Sequence, residues 1–234
     1  FAEKVFFANS GAEAVEGAIK TARKHAYENI SKKKSEIVSF SDAFHGRTMM
    51  AIALNGSDRF VKGFGPMPSG IKNHPFNETK NLEKVIKKNT AAVIIELVQG
   101  EAGIIKAKKD FIQKIKKLCK QNKVLIIVDE VQSGAGRTGT LFAYEQFGIK
   151  PDIMCCAKGI GGGIPIAAIL TTTKIAQCMQ LGSHGTTFGG NPLACAVAEQ
   201  VMTLLTKKTL LNGVKKKEKI FLKELESIND DYQC

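Results

Sequence analysis

The stretch that decides the fold runs from Ile153 to Gly163 and reads IMCCAKGIGGG. It begins with a short apolar run of strand length, and Lys158 follows two residues after that run ends. The glycines beyond the lysine let a ligand approach the backbone closely. A lysine in such a place is a candidate for trapping a carbonyl group, although a solvated surface amine is the commoner outcome. A functional role for Lys158 therefore needs further evidence from the rest of the sequence.

Short apolar runs like this one alternate with segments of helical periodicity. Several runs are apolar on both faces, which is typical of a parallel sheet covered by helices on both sides. We therefore predict an α/β fold with a mostly parallel central sheet. The predicted strands are Lys4–Ala8, Glu36–Phe40, Ala91–Val98, Val124–Val128, Ile153–Cys156 and Ile166–Thr171. The predicted helices are Ala12–Glu28, Leu82–Lys88, Asp110–Gln121, Leu193–Leu205 and Lys215–Ser227.

Two segments interrupt this alternation. Residues 56–77 are rich in proline and glycine, so we predict a long irregular loop there. The alternation ends near Leu205, and we predict a large domain over residues 1–206 followed by the truncated start of a small C-terminal domain over residues 207–234. The chain begins without methionine, and we expect it to be part of a longer protein.

The composition points to a globular protein with a substantial core. The chain has 234 residues, of which 44% are hydrophobic, and no run approaches the ~20 apolar residues of a membrane helix. Its start lacks a signal-peptide pattern, so we expect a cytoplasmic protein with no membrane partner. The six cysteines have no paired C-x-x-C spacing, so the sequence indicates neither a disulfide framework nor a zinc site.

The formal charge of +12 raises the possibility of a nucleic-acid partner. However, only four of the 34 basic residues are arginines, and no aromatic residues are interleaved with the lysines. The excess charge favours solubility over a nucleic-acid surface.

Polar residues that could take part in binding or catalysis follow the predicted strands, where ligands collect in open α/β sheets. Asp129 ends a strongly apolar run, as does the magnesium-binding aspartate of a nucleotide hydrolase, but the chain has no Gly-Lys-Ser or Gly-Lys-Thr sequence. The glycines after Lys158 also fail the dinucleotide pattern G-x-G-x-x-G. A buried Asp129 needs a cationic partner, and a protonated pyridine nitrogen would serve.

The segment from Ser10 to Glu13 opens the first predicted helix and has two interpretations. It fits a capping box, in which Ser10 caps the helix and Glu13 reaches back. The amides of Gly11 and Ala12 could also bind an anion at the positive end of the helix. Both interpretations can hold at once.

A second cluster, Phe44 to Arg47, follows the second predicted strand. Phe44 can stack on a planar ring or belong to the core, and Arg47 can hold a carboxylate by two parallel hydrogen bonds or form a surface ion pair. His45 between them is a structural or a catalytic histidine. Glu96 and Glu101, past the third predicted strand, could tune a positive site or lie in an exposed loop.

Seven ordered motifs together resemble the class III pyridoxal-phosphate aminotransferases. They are FANSGAEA, FHGRT, GFGP, IELVQGEAG, VDEVQSGAGRTG, AKGIGGGIPI and GSHGTTFGGNPLA, and they span residues 4–205. Within the class, FHGR resembles the enzymes that act on acetylornithine more than the ornithine δ-aminotransferases, which usually have tryptophan at the position of His45.

The resemblance implies a type I fold homodimer that binds pyridoxal phosphate. It implies that Lys158 attaches to the cofactor and then moves a proton, that Asp129 pairs with the ring nitrogen, and that Phe44 stacks on the ring. The other roles that it implies are contact with the ring hydroxyl for Gln132, phosphate binding for Gly11, Ala12 and the partner subunit's Thr187, substrate contacts for Arg47 and Thr186, and gating of a substrate-binding arginine for Glu101.

The reaction that the resemblance implies is transfer of the δ-amino group of N2-acetylornithine to 2-oxoglutarate, as in arginine biosynthesis. Ornithine, succinylornithine and 4-aminobutyrate are alternative donors, and a catalytically silent cofactor-binding fragment is a further alternative. Relatives run to about four hundred residues, and the part absent here usually includes an arginine for the substrate carboxylate. Val15 and Leu97 also depart from the asparagine and proline that are commonly seen.

Overall fold

The computed structural model describes residues 1–232, and their side chains through residue 228. The strands are β1 Lys4–Ala8, β2 Glu36–Phe40, β3 Ile71–His74, β4 Thr90–Ile95, β5 Val98–Gln99, β6 Ile105–Lys106, β7 Leu125–Asp129, β8 Ile153–Cys156 and β9 Ala167–Thr171. The helices are α1 Gly11–Asn29, α2 Met49–Leu54, α3 Asp58–Val61, α4 Leu82–Val85, α5 Lys109–Asn122, α6 Tyr144–Phe147, α7 Thr173–Ala176, α8 Pro192–Leu205 and α9 Lys208–Tyr232. A 3-10 turn spans Lys158–Gly161.

The core of the molecule is a seven-stranded sheet with the order β1-β9-β8-β7-β4-β2-β3. Strands β8, β7, β4, β2 and β3 are parallel, and β9 runs antiparallel to its neighbours β8 and β1. Every parallel strand therefore ends at the same edge of the sheet. The predicted α/β class with a mostly parallel sheet is confirmed.

Helices cover both faces of this sheet because successive strand residues point in opposite directions. Ile37 packs in a cluster with α1, whereas its neighbour Val38 packs in a second cluster with α4 and α5. In α1, small residues such as Ala14, Ala18 and Ala22 are fully buried, which lets the helix lie close to the strands. The prediction of helices on both faces is confirmed.

Two details of the sheet differ from the sequence-based predictions. The third predicted strand ends at Ile95 rather than Val98, and Val98–Gln99 pairs instead with Ile105–Lys106 in a separate two-stranded sheet. The predicted loop over residues 56–77 contains the short helix α3 and the edge strand β3. That strand was missed because Lys72 and Asn73 give it no apolar run.

The C-terminal part consists of two helices. Helix α8 ends at Leu205 and α9 begins at Lys208, so the predicted boundary at residue 206 lies between them. The division into two domains stays a prediction. Helix α9 leaves several large apolar side chains exposed, Phe221 at 67% among them. Within the described residues, no helix has both the length and the apolar character needed to cross a bilayer.

Candidate active site

One cleft at the carboxyl edge of the sheet collects most of the predicted site residues. It has a volume of about 490 Å³. The predicted residues that line it are Gly11, Ala12, Phe44, Arg47, Asp129 and Lys158. They come from positions far apart in the chain, at or after the ends of β1, β2, β7 and β8, and meet because these strands end at the same edge of one sheet.

Lys158 enters the cleft from the turn that follows β8. Its backbone has φ of +46°, in the left-handed region that is costly for a residue with a side chain. The residue is exposed, and no carboxylate lies within 4.0 Å of its amine among the side chains that the structure describes. The strained backbone directs a free amine to the cleft, which is the arrangement expected of a functional lysine rather than a surface one.

Asp129 is the last residue of β7 and is held by two hydrogen bonds. Its Oδ2 lies 2.8 Å from Nδ1 of His45, and its Oδ1 accepts from the amide of Val131 at 3.0 Å. Asp129 and His45 are 3% and 2% exposed, so the pair is shielded from water. The carboxylate therefore has a fixed orientation at the bottom of the cleft.

A third titratable side chain, Glu96, belongs to the same buried group. It is 4% exposed and accepts a hydrogen bond from the amide of Phe44 at 2.8 Å. Burial raises the pKa of Glu96 to about 7, helped by the charge of Asp129 and opposed by His45, the Phe44 amide and Lys158. Burial lowers the pKa of His45, but its hydrogen bond to Asp129 and the charges of Asp129 and Glu96 outweigh that effect, and the net shift is upward.

His45 has one nitrogen that lacks a partner. Its Nε2 is buried and makes no hydrogen bond within the described part of the chain. This nitrogen donates or accepts a hydrogen bond according to the tautomer, so it is a polar group without a partner inside the buried cluster of His45, Asp129 and Glu96. The sequence left two roles open for each residue, structural or catalytic for His45 and tuning a positive site or lying in an exposed loop for Glu96. The exposed-loop interpretation of Glu96 is wrong, because the residue directly follows β4 and is buried.

The N-terminus of α1 supplies free amides to the cleft. Ser10 caps the helix by accepting a hydrogen bond from the Glu13 amide at 3.3 Å. The Glu13 carboxylate reaches the amide of Asn9 at 2.8 Å, one residue earlier than in a standard capping box. The amides of Gly11 and Ala12 make no hydrogen bond to another described residue, so they can bind an anion.

Four predicted site residues do not line this cleft. Thr186 lies beside it, where its hydroxyl accepts a hydrogen bond from Asn9 Nδ2 at 3.0 Å. Gln132 lies against Gly100, in the space that a β-carbon there would fill. Glu101 lines a neighbouring cavity, and Thr187 is exposed.

Comparison with known proteins decides the family. Residues 1–234 match the family described as aminotransferase class III. The chain belongs to this family. Succinylornithine transaminase of Yersinia pseudotuberculosis is 49% identical over 235 residues, which cover 98% of this chain and 57% of the relative. Acetylornithine aminotransferase of Vibrio cholerae is 49% identical over 233 residues, which cover 100% of this chain and 58% of the relative.

A solved structure supports the fold of this class III chain. Ornithine aminotransferase of Toxoplasma gondii superimposes with a TM-score of 0.90 at 33% identity, covering 99% of this chain and 55% of that protein. Pyridoxal phosphate partly occupies the active site of that structure. The chain thus spans somewhat more than half the length of its relatives.

Proposed function

We propose that the cleft binds pyridoxal phosphate and that the chain acts in amino transfer. We base this proposal on one arrangement, in which a free lysine amine, a buried carboxylate and the free amides of a helix N-terminus line the same cleft. These groups match the three polar ends of the cofactor, which are its aldehyde, its ring nitrogen and its phosphate.

Different residues of the cleft would bind different parts of the cofactor. Gly11 and Ala12 would hold the phosphate, since a helix N-terminus carries about half a positive charge. Asp129 would face the ring nitrogen, with His45 and the Val131 amide fixing its carboxylate. Phe44 would lie against the ring, and Gln132 would contact the ring hydroxyl after a change of its side-chain rotamer, because its amide now lies on Gly100.

When bound, pyridoxal phosphate supplies a ring that accepts electrons from a substrate carbon. Lys158 would attach to the cofactor aldehyde, and after the donor amine displaces it, its amine would carry the proton from the donor carbon. No carboxylate among the described side chains lies within 4.0 Å of the Lys158 amine, so no ion pair would have to break before the amine takes that proton. Asp129 would keep the ring nitrogen protonated throughout.

For the donor, we propose the δ-amine of an N2-acylated ornithine, with 2-oxoglutarate as the acceptor. Relatives named for acetylornithine and for succinylornithine share the same 49% identity with the chain, so identity does not separate the two donors. We keep acetylornithine as the primary proposal and succinylornithine as an alternative. Arg47 would bind a substrate carboxylate and Thr186 would contact the substrate from beside Asn9. We keep the gating role of Glu101 as a proposal, because the acid lies in the cavity next to the cleft.

We also propose a cytoplasmic homodimer in which each subunit contributes to its partner's site. Thr187 supports the shared site, since it is exposed and does not line the cleft of its own subunit. The partner subunit's Thr187 would then join Gly11 and Ala12 at the phosphate.

Absorbance of the purified chain with pyridoxal phosphate, before and after borohydride, tests the proposal. We expect cofactor that borohydride fixes covalently in the wild-type chain and not in Lys158→Ala. Acetylornithine should then convert the bound cofactor to its pyridoxamine form, faster than ornithine or 4-aminobutyrate does. A folded chain that binds cofactor without conversion by any amine would be a silent fragment instead.

A further inference from the structure

Two arginines contact the same aromatic ring beside the cleft. The guanidinium carbon of Arg47 lies 4.8 Å from the centre of the Phe60 ring, and that of Arg59 lies 4.4 Å from it. Phe60 is only 5% exposed and packs edge-on against Phe44 of the cleft, with ring centres 6.0 Å apart. Half of the four arginines of a lysine-rich chain are therefore gathered at one ring.

Both guanidinium groups keep their hydrogen-bonding capacity. Among the described side chains, neither Arg47 nor Arg59 has a carboxylate within 4.0 Å or donates a hydrogen bond. Stacking on Phe60 restricts their positions without using their N–H groups. Two cations with free donors and limited freedom are a pre-organised arrangement for two carboxylates.

The two arginines line different cavities. Arg47 lines the cofactor cleft, whereas Arg59 lines a neighbouring cavity of about 660 Å³. The charged residues that share this cavity with Arg59 are Lys108, Asp42 and Glu101. The two guanidinium carbons lie 4.8 Å and 4.4 Å from the Phe60 ring centre, so Arg59 is close enough to Arg47 for one extended substrate to contact both.

We propose that Arg59 is a specificity-determining residue that binds the second carboxylate of a dicarboxylic acyl group on the donor. This inference rests on the proposed function, in which Arg47 takes the α-carboxylate of an N2-acylated ornithine, and it favours the succinylated alternative named there over the acetylated donor. A succinyl group carries a terminal carboxylate, and an acetyl group carries none. Arg59 therefore favours the succinylated donor, whereas Glu101 in the same cavity opposes it.

Binding of N2-succinylornithine and N2-acetylornithine to the full chain, measured by calorimetry, tests the inference. A hydrogen-bonded pair of charged groups changes affinity by roughly tenfold or more, so the wild-type chain should bind the succinylated donor at least tenfold more tightly. Arg59→Gln should bring the two affinities together, and Arg59→Lys, which keeps the charge but loses the planar fork, should give an intermediate ratio. Glu101→Gln should raise the preference for the succinylated donor.

Lys62→Gln is the matched control, because it removes one positive charge from an exposed position three residues away that does not line the cavity. It should keep the wild-type ratio. Equal affinities in the wild-type chain, no binding of either donor, an unchanged ratio in Arg59→Gln, or an equal loss in Lys62→Gln would each overturn the role of Arg59. If the ratio of the two donor affinities is as expected but no amine converts the bound cofactor to its pyridoxamine form, the role of Arg59 stands and the proposed amino transfer is contradicted.

Discussion

His45 Nδ1 lies 2.8 Å from Asp129 Oδ2, and both side chains are almost fully buried. The two residues are 84 positions apart in the chain and meet because their strands lie close together in the sheet. A buried carboxylate with one side-chain partner is sensitive to the loss of that partner, since the carboxylate is then left without compensation.

We therefore expect His45→Ala to lower the free energy of unfolding by about 3 kcal/mol or more. The His45→Ala, Asp129→Ala cycle, followed by urea denaturation, should give a coupling energy above about 1 kcal/mol, because the double variant removes both partners of the buried hydrogen bond together. Additive effects of the two single substitutions would contradict a coupled pair.

Glu96 makes stability depend on pH. Its pKa rises from 4.5 to about 7 in the folded chain because burial disfavours the charged carboxylate. The folded chain thus holds a proton that the unfolded chain has released between these two values, so stability falls as pH rises from about 4.5 to about 7. We expect this group to account for a loss of about 2 to 3 kcal/mol in that window.

Urea denaturation of the wild-type chain and of Glu96→Gln at pH 5 and pH 8 separates this contribution from others of the same sign. Burial also raises the pKa values of Glu130 and Asp152, and the hydrogen bond to Asp129 raises that of His45 against the effect of burial; all three groups remain in both proteins. The amide side chain of the Glu96→Gln variant keeps an oxygen that can accept from the Phe44 amide. The difference in free energy of unfolding between the wild-type chain and Glu96→Gln should be smaller at pH 5 than at pH 8. An equal difference at both pH values would rule out a titrating Glu96.

Much of the fold followed from apolar runs. The strands Lys4–Ala8, Glu36–Phe40 and Ile153–Cys156 have the predicted bounds, because each is an apolar or β-branched run between polar residues. The antiparallel direction of β9 could not be predicted from the sequence, since its apolar pattern is the same for either direction. Helix α9 extends seven residues before the predicted start at Lys215, through Gly213, which local propensity disfavours.

Part of the site was also predictable. The position of Asp129 and Lys158 after apolar strands indicated a shared edge, and both line one cleft. The link between His45, Asp129 and Glu96 was not predictable from spacing, because it depends on the order β2, β4, β7 within the sheet. The pair of Arg47 and Arg59 on Phe60 depends likewise on how α3 folds back, in a segment predicted to be irregular.

A shared active site can be tested by mixing two defective chains. Thr187 does not line its own cleft, so Thr187→Ala should weaken cofactor retention by about tenfold through loss of one hydrogen bond to the partner's phosphate. In a mixed dimer of Thr187→Ala and Lys158→Ala chains, the cleft that keeps Lys158 also receives an intact threonine from its partner. Mixing should therefore restore tight cofactor binding in some sites, as measured by retention after gel filtration.

The control for that experiment is each variant alone at the same total concentration. If mixing restores nothing although mixed dimers form, Thr187 does not act across an interface.

The phosphate-binding end of the cleft depends on the absence of a side chain at Gly11. A β-carbon there would lie 2.6 Å from Cγ1 of Val131, which is closer than carbon atoms can approach without movement. We expect Gly11→Ala to push α1 away from the turn after β7, to cost about 1 to 3 kcal/mol of stability, and to weaken cofactor binding by moving the free amides of Gly11 and Ala12.

Val131→Ala removes the side chain that the new methyl group would meet. The double variant Gly11→Ala, Val131→Ala should therefore bind the cofactor more tightly than Gly11→Ala alone, although Val131→Ala by itself removes a packed side chain. Fluorescence titration with pyridoxal phosphate, together with urea denaturation of all four chains, measures both effects. Rescue of affinity by the second substitution would locate the damage at this contact, whereas affinities that fall further in the double variant would mean that the amides of α1 do not hold the phosphate by this close approach.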